Sequence, residues 1–376
     1  MLKRNQKGLL IISDTAMWKV NDETFVFEPT LREVEMLTDI FETITWIGFG
    51  YSGSPSANAR ASKTGKINFI FLPKARGGFR WYQKVRILYF IPGIVFTIVR
   101  HIRRHTVIHS RGPSLPAFVA IVFSKFDSTR KFWHKYAGNW RQVNPPFAYG
   151  LQRWFLKRNQ HFVTVNGRVK SDSEYIHSFE NPCFTLHELT DAKRIGKEKE
   201  FSGKLSLLFV GRMEEEKGAL SLVQAFKKFK EQFTLTMVGD GKDMKMIRQF
   251  INDHDLPVTI TGFLSRSEIN QIYKHAHFFI LPSYASEGFP KVISEAAGFG
   301  CIPIVTSVSV VGEYFDSGVN GFVLCDSQPE SIEEIFCQLP DEIELKKISN
   351  NAIAMADLFT YERYNYRINV EFLERA

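Results

Sequence analysis

Ten short runs rich in β-branched and aromatic residues recur along the chain, and most are separated by stretches long enough for a helix. In the first half they are Leu9 to Ile12, Ile44 to Ile47, Ile67 to Leu72, Thr106 to His109 and Phe162 to Val165. In the second they are Leu205 to Val210, Thr234 to Val238, Val258 to Thr261, Phe278 to Leu281 and Ile302 to Val305. Strands joined by helix-length crossovers pair in parallel, so the pattern predicts an α/β fold with parallel sheets. At roughly 150 residues per domain, 376 residues suggest two or three domains. Because the rhythm occurs twice in tandem, the expectation is two doubly wound domains over residues 1–189 and 190–357, with a ligand cleft between them. The polar stretch Thr190 to Ser202 reads as the hinge region, and Ser52 to Lys66, small and aperiodic, as a mobile loop near the cleft.

Hydrophobic residues at 44% and charged residues at 23% exclude a disordered chain, a collagen and a coiled-coil rod. Four cysteines, Cys183, Cys301, Cys325 and Cys337, show no Cys-x-x-Cys spacing, which argues against a disulfide framework or zinc ribbon and for a reducing cytoplasm. The apolar run Leu9 to Ile12 is too short for a secretion signal. Ile87 to Val99, interrupted by Pro92, Gly93 and Thr97, falls short of the ~20 apolar residues of a membrane span.

Charge is unevenly spread. Between residues 51 and 150 there are 17 basic side chains and one acid, Asp127, and all six tryptophans lie at or before Trp154. Such a surface seeks an anionic partner. Arg76, Arg80, Lys84 and Arg86, then Arg100, Arg103 and Arg104, flank the apolar stretch and interleave with Phe79, Trp81, Tyr82, Tyr89 and Phe90. The segment reads as a membrane-surface helix or, alternatively, as a helix of an ordinary layer with a basic solvated face. No zinc-finger, RNA-recognition or helix-turn-helix pattern accompanies the charge, so nucleic acid is not expected.

The chemistry concentrates after the second-half strands. Gly211-Arg212-Met213-Glu214-Glu215-Glu216-Lys217-Gly218 follows one strand; Arg212 and Lys217 there either neutralise a diphosphate or pair with Glu214 to Glu216. Pro282-Ser283-Tyr284-Ala285-Ser286-Glu287-Gly288-Phe289-Pro290 follows another and opens a helix that carries Glu295. Pro290 suits the first helical position, and the exposed N–H groups there favour phosphate by about 0.3 to 1 kcal/mol. Glu295 suits a ribose diol and Glu287 a sugar hydroxyl; the alternative is a capping Glu287 and a solvated Glu295. Val238-Gly239-Asp240-Gly241 and Thr261-Gly262-Phe263-Leu264 end two further strands, and Gly318-Val319-Asn320-Gly321 reads as a hairpin-like turn.

In order and spacing, these motifs and Glu313 together resemble the retaining glycosyltransferases of family four, over roughly residues 204 to 338. The resemblance implies a GT-B architecture of two Rossmann-like domains, with the nucleotide-sugar on the C-terminal domain and the acceptor on the N-terminal one. A last helix, within 358–376 and carrying Tyr361, Tyr364, Tyr366 and Phe372, would cross back to the first domain. It implies a catalytic role for Glu287, Arg212 and Lys217. Glu295 would hold the ribose, Glu287 the transferred sugar, Arg212 and Lys217 the diphosphate of a UDP- or GDP-sugar, and the backbone near Phe263 and Leu264 the base. Gly239, Gly288, Phe289 and Val292 would line the donor. No metal is implied, and no Asp-x-Asp follows a strand here.

The first half departs from the family pattern. The usual Gly-Gly loop is replaced by Ser13-Asp14-Thr15-Ala16-Met17-Trp18. The usual Asp-x-x-His-x-His reads Thr106-Val107-Ile108-His109-Ser110-Arg111. His109 and Arg111 are therefore the candidates on the acceptor or donor side, Arg111 as an anion binder or as a salt-bridged strand end. The expected function is a cytoplasmic, peripherally membrane-bound glycosyltransferase acting on a lipid-linked or polysaccharide acceptor. The alternatives are a GT-B sugar-nucleotide epimerase, which turns over donor without acceptor, and a non-catalytic nucleotide-sugar binder.

Overall fold

The computed structural model describes residues 8–73, 81–168 and 173–375, and within 81–88 the backbone alone. The basic residues Arg76 and Arg80, with Phe79 and the side chains of Trp81, Tyr82, Lys84 and Arg86, lie outside the described residues. The chain divides into two compact units, Met1–Phe179 with Asn365–Ala376, and Glu180–Tyr364.

The first unit contains β1 (Gly8–Val20), β2 (Glu23–Phe27), α1 (Glu28–Met36), β3 (Thr43–Tyr51), β4 (Ala59–Ala61), β5 (Ile67–Leu72), α2 (Trp81–Ile102), β6 (Val107–Gly112), α3 (Leu115–Ser124), β7 (Lys131–Tyr136), α4 (Phe147–Lys157), β8 (Phe162–Val165) and β9 (Ile176–Ser178). The parallel order is β5, β3, β1, β6, β7, β8, β9, and β2 and β4 add an antiparallel extension along the second half of β1. The chain builds outward from β1 in one direction and resumes at β6 in the other. The topological switch point therefore falls between β1 and β6, where Ile12 pairs with Ser110.

The second unit contains α5 (Leu186–Lys197), β10 (Leu205–Val210), α6 (Ala219–Phe229), β11 (Phe233–Val238), α7 (Met244–Asp253), β12 (Val258–Gly262), α8 (Arg266–His275), β13 (Phe278–Leu281), α9 (Lys291–Gly298), β14 (Ile302–Thr306), β15 (Phe322–Leu324), α10 (Pro329–Cys337) and α11 (Glu342–Met355). Its sheet is parallel in the order β12, β11, β10, β13, β14, β15, with the switch point between β10 and β13. β10 and β13 are apolar runs buried on both faces, as an inner parallel strand must be. One continuous core of leucine, isoleucine, valine and phenylalanine fills the unit.

All ten expected strands are present, and both sheets are predominantly parallel. Three expectations are corrected. The stretch read as a hinge is largely α5, closed at its start by a capping box in which Thr185 and Glu188 exchange hydrogen bonds; the polar composition belongs to a surface helix, and the units divide at Phe179. The supposed mobile loop holds β4, pinned where Arg60 pairs with Glu35 and Glu28. Pro290 stands at the N-cap, one residue before the helix.

The last helix, α12 (Tyr361–Ile368), begins in the second unit, where Thr360 bridges to Phe184. From Asn365 the chain belongs to the first unit: Asn365 donates to the Met36 carbonyl at 2.7 Å, and Phe372 packs on Phe162 and Trp133.

Candidate functional site

Two loops meet at the switch point of the second sheet. The loop after β10 carries Arg212 and Lys217, and the loop after β13 carries Ser283 and Glu287. The carbonyl of Glu216 fastens them together, accepting from the Tyr284 N–H at 2.9 Å, the Ala285 N–H at 3.2 Å and the Ser283 hydroxyl at 3.0 Å. Gly218 makes this approach possible: its φ is +70°, and a Cβ there would lie 2.2 Å from the Pro282 carbonyl oxygen. Gly239 does the same one strand over, with φ +131° and a would-be Cβ 1.9 Å from the Gly211 oxygen. The ends of β10, β11 and β12 are thereby drawn together: the Gly211 N–H donates to the Val238 carbonyl at 3.0 Å and the N–H of the buried Gly239 to the Gly262 carbonyl at 2.9 Å.

With the loops fastened, the ammonium of the buried Lys217 bonds the carboxylate of the half-exposed Glu287. The Glu287 N–H donates to the Ser309 hydroxyl at 3.1 Å, and Ser309 sits in the left-handed region with φ 58°. Arg212 pairs instead with its neighbours Glu214, at 2.8 Å, and Glu216, at 3.2 Å. One motif thus divides: Lys217 reaches across to the second loop, whereas Arg212 takes the local partners.

Glu295, on the second turn of α9, is bonded by Arg266 from the start of α8. Arg266 also donates to the Cys183 carbonyl at 2.7 Å and lies 3.8 Å from Glu188. Burial works against its charge, but Glu295 and Glu188 outweigh that and hold its pKa above the ordinary arginine value. Burial, with the nearby Glu295 charge, pushes the Cys183 thiol up to about 12, so it stays protonated.

The remaining candidates separate by exposure. Phe263 is exposed at the end of β12, and Leu264, Gly288 and Val292 are half-buried. Phe289 is different: its ring is in the core, stacked on Phe359 at 4.8 Å and against Tyr314 at 4.9 Å, so only its backbone can meet a ligand. Arg266, Ser283 and Ser309 are contributors that the sequence reading missed. The capping box Ser265 to Glu268 marks where α8 starts, but nothing in the sequence says that its first residue turns to Glu295.

The switch point of the first sheet is built differently. Arg111, at the end of β6, and Lys135, in β7, both bond the buried carboxylate of Glu33 on α1, Arg111 at 2.7 and 3.3 Å and Lys135 at 2.6 Å. Arg111 is thus a salt-bridged strand end. Asp14 lies close by at a bulge of β1; desolvation raises its pKa although the Arg111 charge works the other way. His109 is fully buried, stacked on Trp133 with centroids 3.6 Å apart. Burial first, and then the charges of Arg111 and Lys135, hold its pKa well below the ordinary value. In this structure it is a core histidine, not an exposed group at the strand end, and its buried Nε2 has no hydrogen-bond partner among the described residues. Among the described residues no group of three or more His, Cys, Asp or Glu side chains could hold a metal ion, and no helix is long and apolar enough to cross a membrane.

Residues 191–355 match the family model described as glycosyl transferases group 1. That segment covers the second unit's sheet and the motifs above. An uncharacterized glycosyltransferase of Methanocaldococcus jannaschii is 26% identical over 233 residues, 59% of each chain. The amylovoran biosynthesis glycosyltransferase AmsK of Erwinia amylovora is 28% identical over 183 residues, 46% of this chain and 45% of that protein. The chain thus spans about half the length of these curated relatives. Among solved structures, Anabaena HepE in complex with UDP and glucose aligns with a TM-score of 0.69 at 17% identity, over 99% of this chain and 100% of that one. The lipopolysaccharide outer core galactosyltransferase WaaB aligns with a TM-score of 0.67 at 13% identity, over 97% and 99%. These likenesses establish the fold as that of the GT-B glycosyltransferases.

Proposed function

We propose that the protein is a retaining glycosyltransferase that moves a sugar from a UDP- or GDP-sugar to a glycan or lipid-linked acceptor at the cytoplasmic face of a membrane, with no metal requirement. One observation carries the reading: within the segment matching the group 1 family, the fastened loops bring Lys217 and Glu287 together at a switch point, where open α/β sheets bind their ligands. UDP and glucose in the HepE structure support a UDP-sugar, and the amylovoran role of AmsK supports a polysaccharide acceptor.

In this reading the donor's diphosphate takes over the Lys217 ammonium. Glu287 is released to accept a hydrogen bond from the sugar. Lys217, with Arg212, then stabilises the negative charge that develops on the leaving phosphate as the glycosidic C–O bond breaks, the role a metal would otherwise fill. Glu295 accepts from the ribose hydroxyls and is held in place by Arg266. The acceptor hydroxyl attacks from the leaving-group side, and the departing phosphate oxygen takes its proton, so positioning outweighs any protein base.

Thermal shifts with UDP, GDP, ADP and their sugars test this, because a ligand at 100 times its Kd stabilises by about 2.7 kcal/mol. A selective shift is expected. Glu295→Ala should weaken the donor by roughly 1.5 to 3 kcal/mol through the lost ribose contact, and unchanged donor affinity in that variant overturns the assignment.

A further inference from the structure

The helices α2, α3 and α4 lie side by side, α2 against α3 and α3 against α4, in one layer of the first unit. Their inner positions, Ile94, Ile98 and Ile102 of α2, Ala120 and Ile121 of α3 and Leu156 of α4, are buried in the core. An ordinary surface layer turns a polar face outward. This one does not.

On α2, Tyr89 and Phe96 stand seven residues apart on one face and are 82% and 66% exposed. On α4, Phe147 and Trp154 repeat the same spacing at 85% and 48%. Between them, α3 reads Leu-Pro-Ala-Phe-Val-Ala-Ile-Val-Phe-Ser, without a charged residue, and leaves Phe118, Val119, Val122 and Phe123 half-buried. Exposed aromatic side chains on both flanks of an uncharged, half-buried helix mark an interaction site.

Charge specifies the partner. Each of the three helices leads into the next parallel strand, β6, β7 or β8, so their C-terminal ends gather along the edge where those strands begin. That edge carries Arg100 in the last turn of α2 with Arg103 and Arg104 just after it, Lys125 after α3, and Lys157 and Arg158 at the end of α4, with Arg158 stacked over Trp154 at 4.4 Å. Between Glu42 and Asp172 the sequence has one acid, Asp127, and it is paired with Arg130. Exposed aromatics beside a row of cations fit the interface of a bilayer with anionic headgroups. A second copy of this chain would bring the same row of cations.

We propose that the outer face of α2, α3 and α4 docks the protein on an anionic lipid bilayer, with Phe96, Phe147 and Trp154 in the interfacial layer and Arg100, Arg103, Lys157 and Arg158 against the headgroups. This deepens the membrane part of the proposed function and extends the surface from the one helix visible in the sequence to three.

Co-sedimentation of the full chain with phosphatidylcholine vesicles, with and without phosphatidylglycerol, tests it at low salt. Binding is expected only with the anionic lipid and should weaken as salt rises. Phe147→Ser with Trp154→Ser should weaken it by at least about tenfold, since burying one aromatic is worth that much, and Arg103→Glu with Lys157→Glu should abolish its salt dependence. The thermal shift with nucleotide, read on the same variants, should not move.

No binding by the unaltered protein overturns the docking surface and the membrane-face reading together. Binding that survives Phe147→Ser with Trp154→Ser overturns this surface alone. A concentration-dependent dimer in sedimentation, broken by those substitutions while vesicle binding persists, assigns the face to a second copy and overturns it too. Loss of every nucleotide shift would instead strike the glycosyltransferase reading and leave the surface untouched.

Discussion

The two units share a plan, a parallel sheet with a switch point beside its first strand, yet they furnish that point in opposite ways. In the second unit the charged groups lie on loops a few residues past the strand ends, held at the rim by glycine-permitted backbone contacts. In the first, the charges come from α1, β6 and β7, and the ion pair is sunk around Glu33. A site made of backbone and short motifs can be read along the chain. A site made by folding distant side chains together cannot, and its energetics are those of a core.

The comparison can be broken most forcefully at the glycines. Gly218→Ala puts a methyl group against the Pro282 carbonyl at a positive φ, and should cost about 4 kcal/mol, read as a lower urea midpoint for the second unit. An equal midpoint would mean that the two loops are not fastened as described. Next comes Glu33→Gln, which leaves two sequestered cations facing a neutral amide. It should cost about 3 kcal/mol in the first unit, and Glu33→Leu combined with Lys135→Met should recover part of that.

Acid separates the units further. Burial, with the neighbouring His161, pulls His134 down to about 3, and burial likewise lowers His105, His109, His161 and His177, all in the first unit; His277 is lowered in the second. Between the ordinary value of 6.5 and about 3 the unfolded chain binds a proton that folded His134 refuses. Stability contributed by its neutrality is therefore full above 6.5 and is lost as pH falls toward 3. Urea midpoints measured from pH 7 to 4.5 should fall faster for the first unit, and His134→Gln should flatten the slope. The smallest effect belongs to Arg212→Ala. Its ion pairs are solvent-exposed, so stability should change by less than about 0.5 kcal/mol, while donor affinity in calorimetry should fall about tenfold.

Much of the second unit was legible, because buried parallel strands read as unbroken apolar runs and their turns as glycine motifs. β7 was not: Lys131, His134 and Lys135 interrupt its pattern, and the strand is accommodated because Glu33 takes Lys135, Ser110 and Ser124 take His134, and the Leu373 and Arg375 carbonyls take Lys131. α5 was mistaken for a hinge because a surface helix and a linker share a polar composition. Of the candidate site, the motifs put Lys217 and Glu287 each on a loop past a strand end but not their bond to one another, and the bond from Arg266 to Glu295 likewise spans 29 residues and depends on how α8 packs beside α9.

The Glu216 carbonyl and the bare Cα of Gly218 tie the two loops into one object although 64 residues separate Gly218 from Pro282. For anyone recombining this sheet with a relative's, the transferable cassette is therefore the pair. A crossover placed between α6 and β13 would split matched halves, and any change of ligand preference at this switch point under the proposed function would have to be grafted on both sides at once.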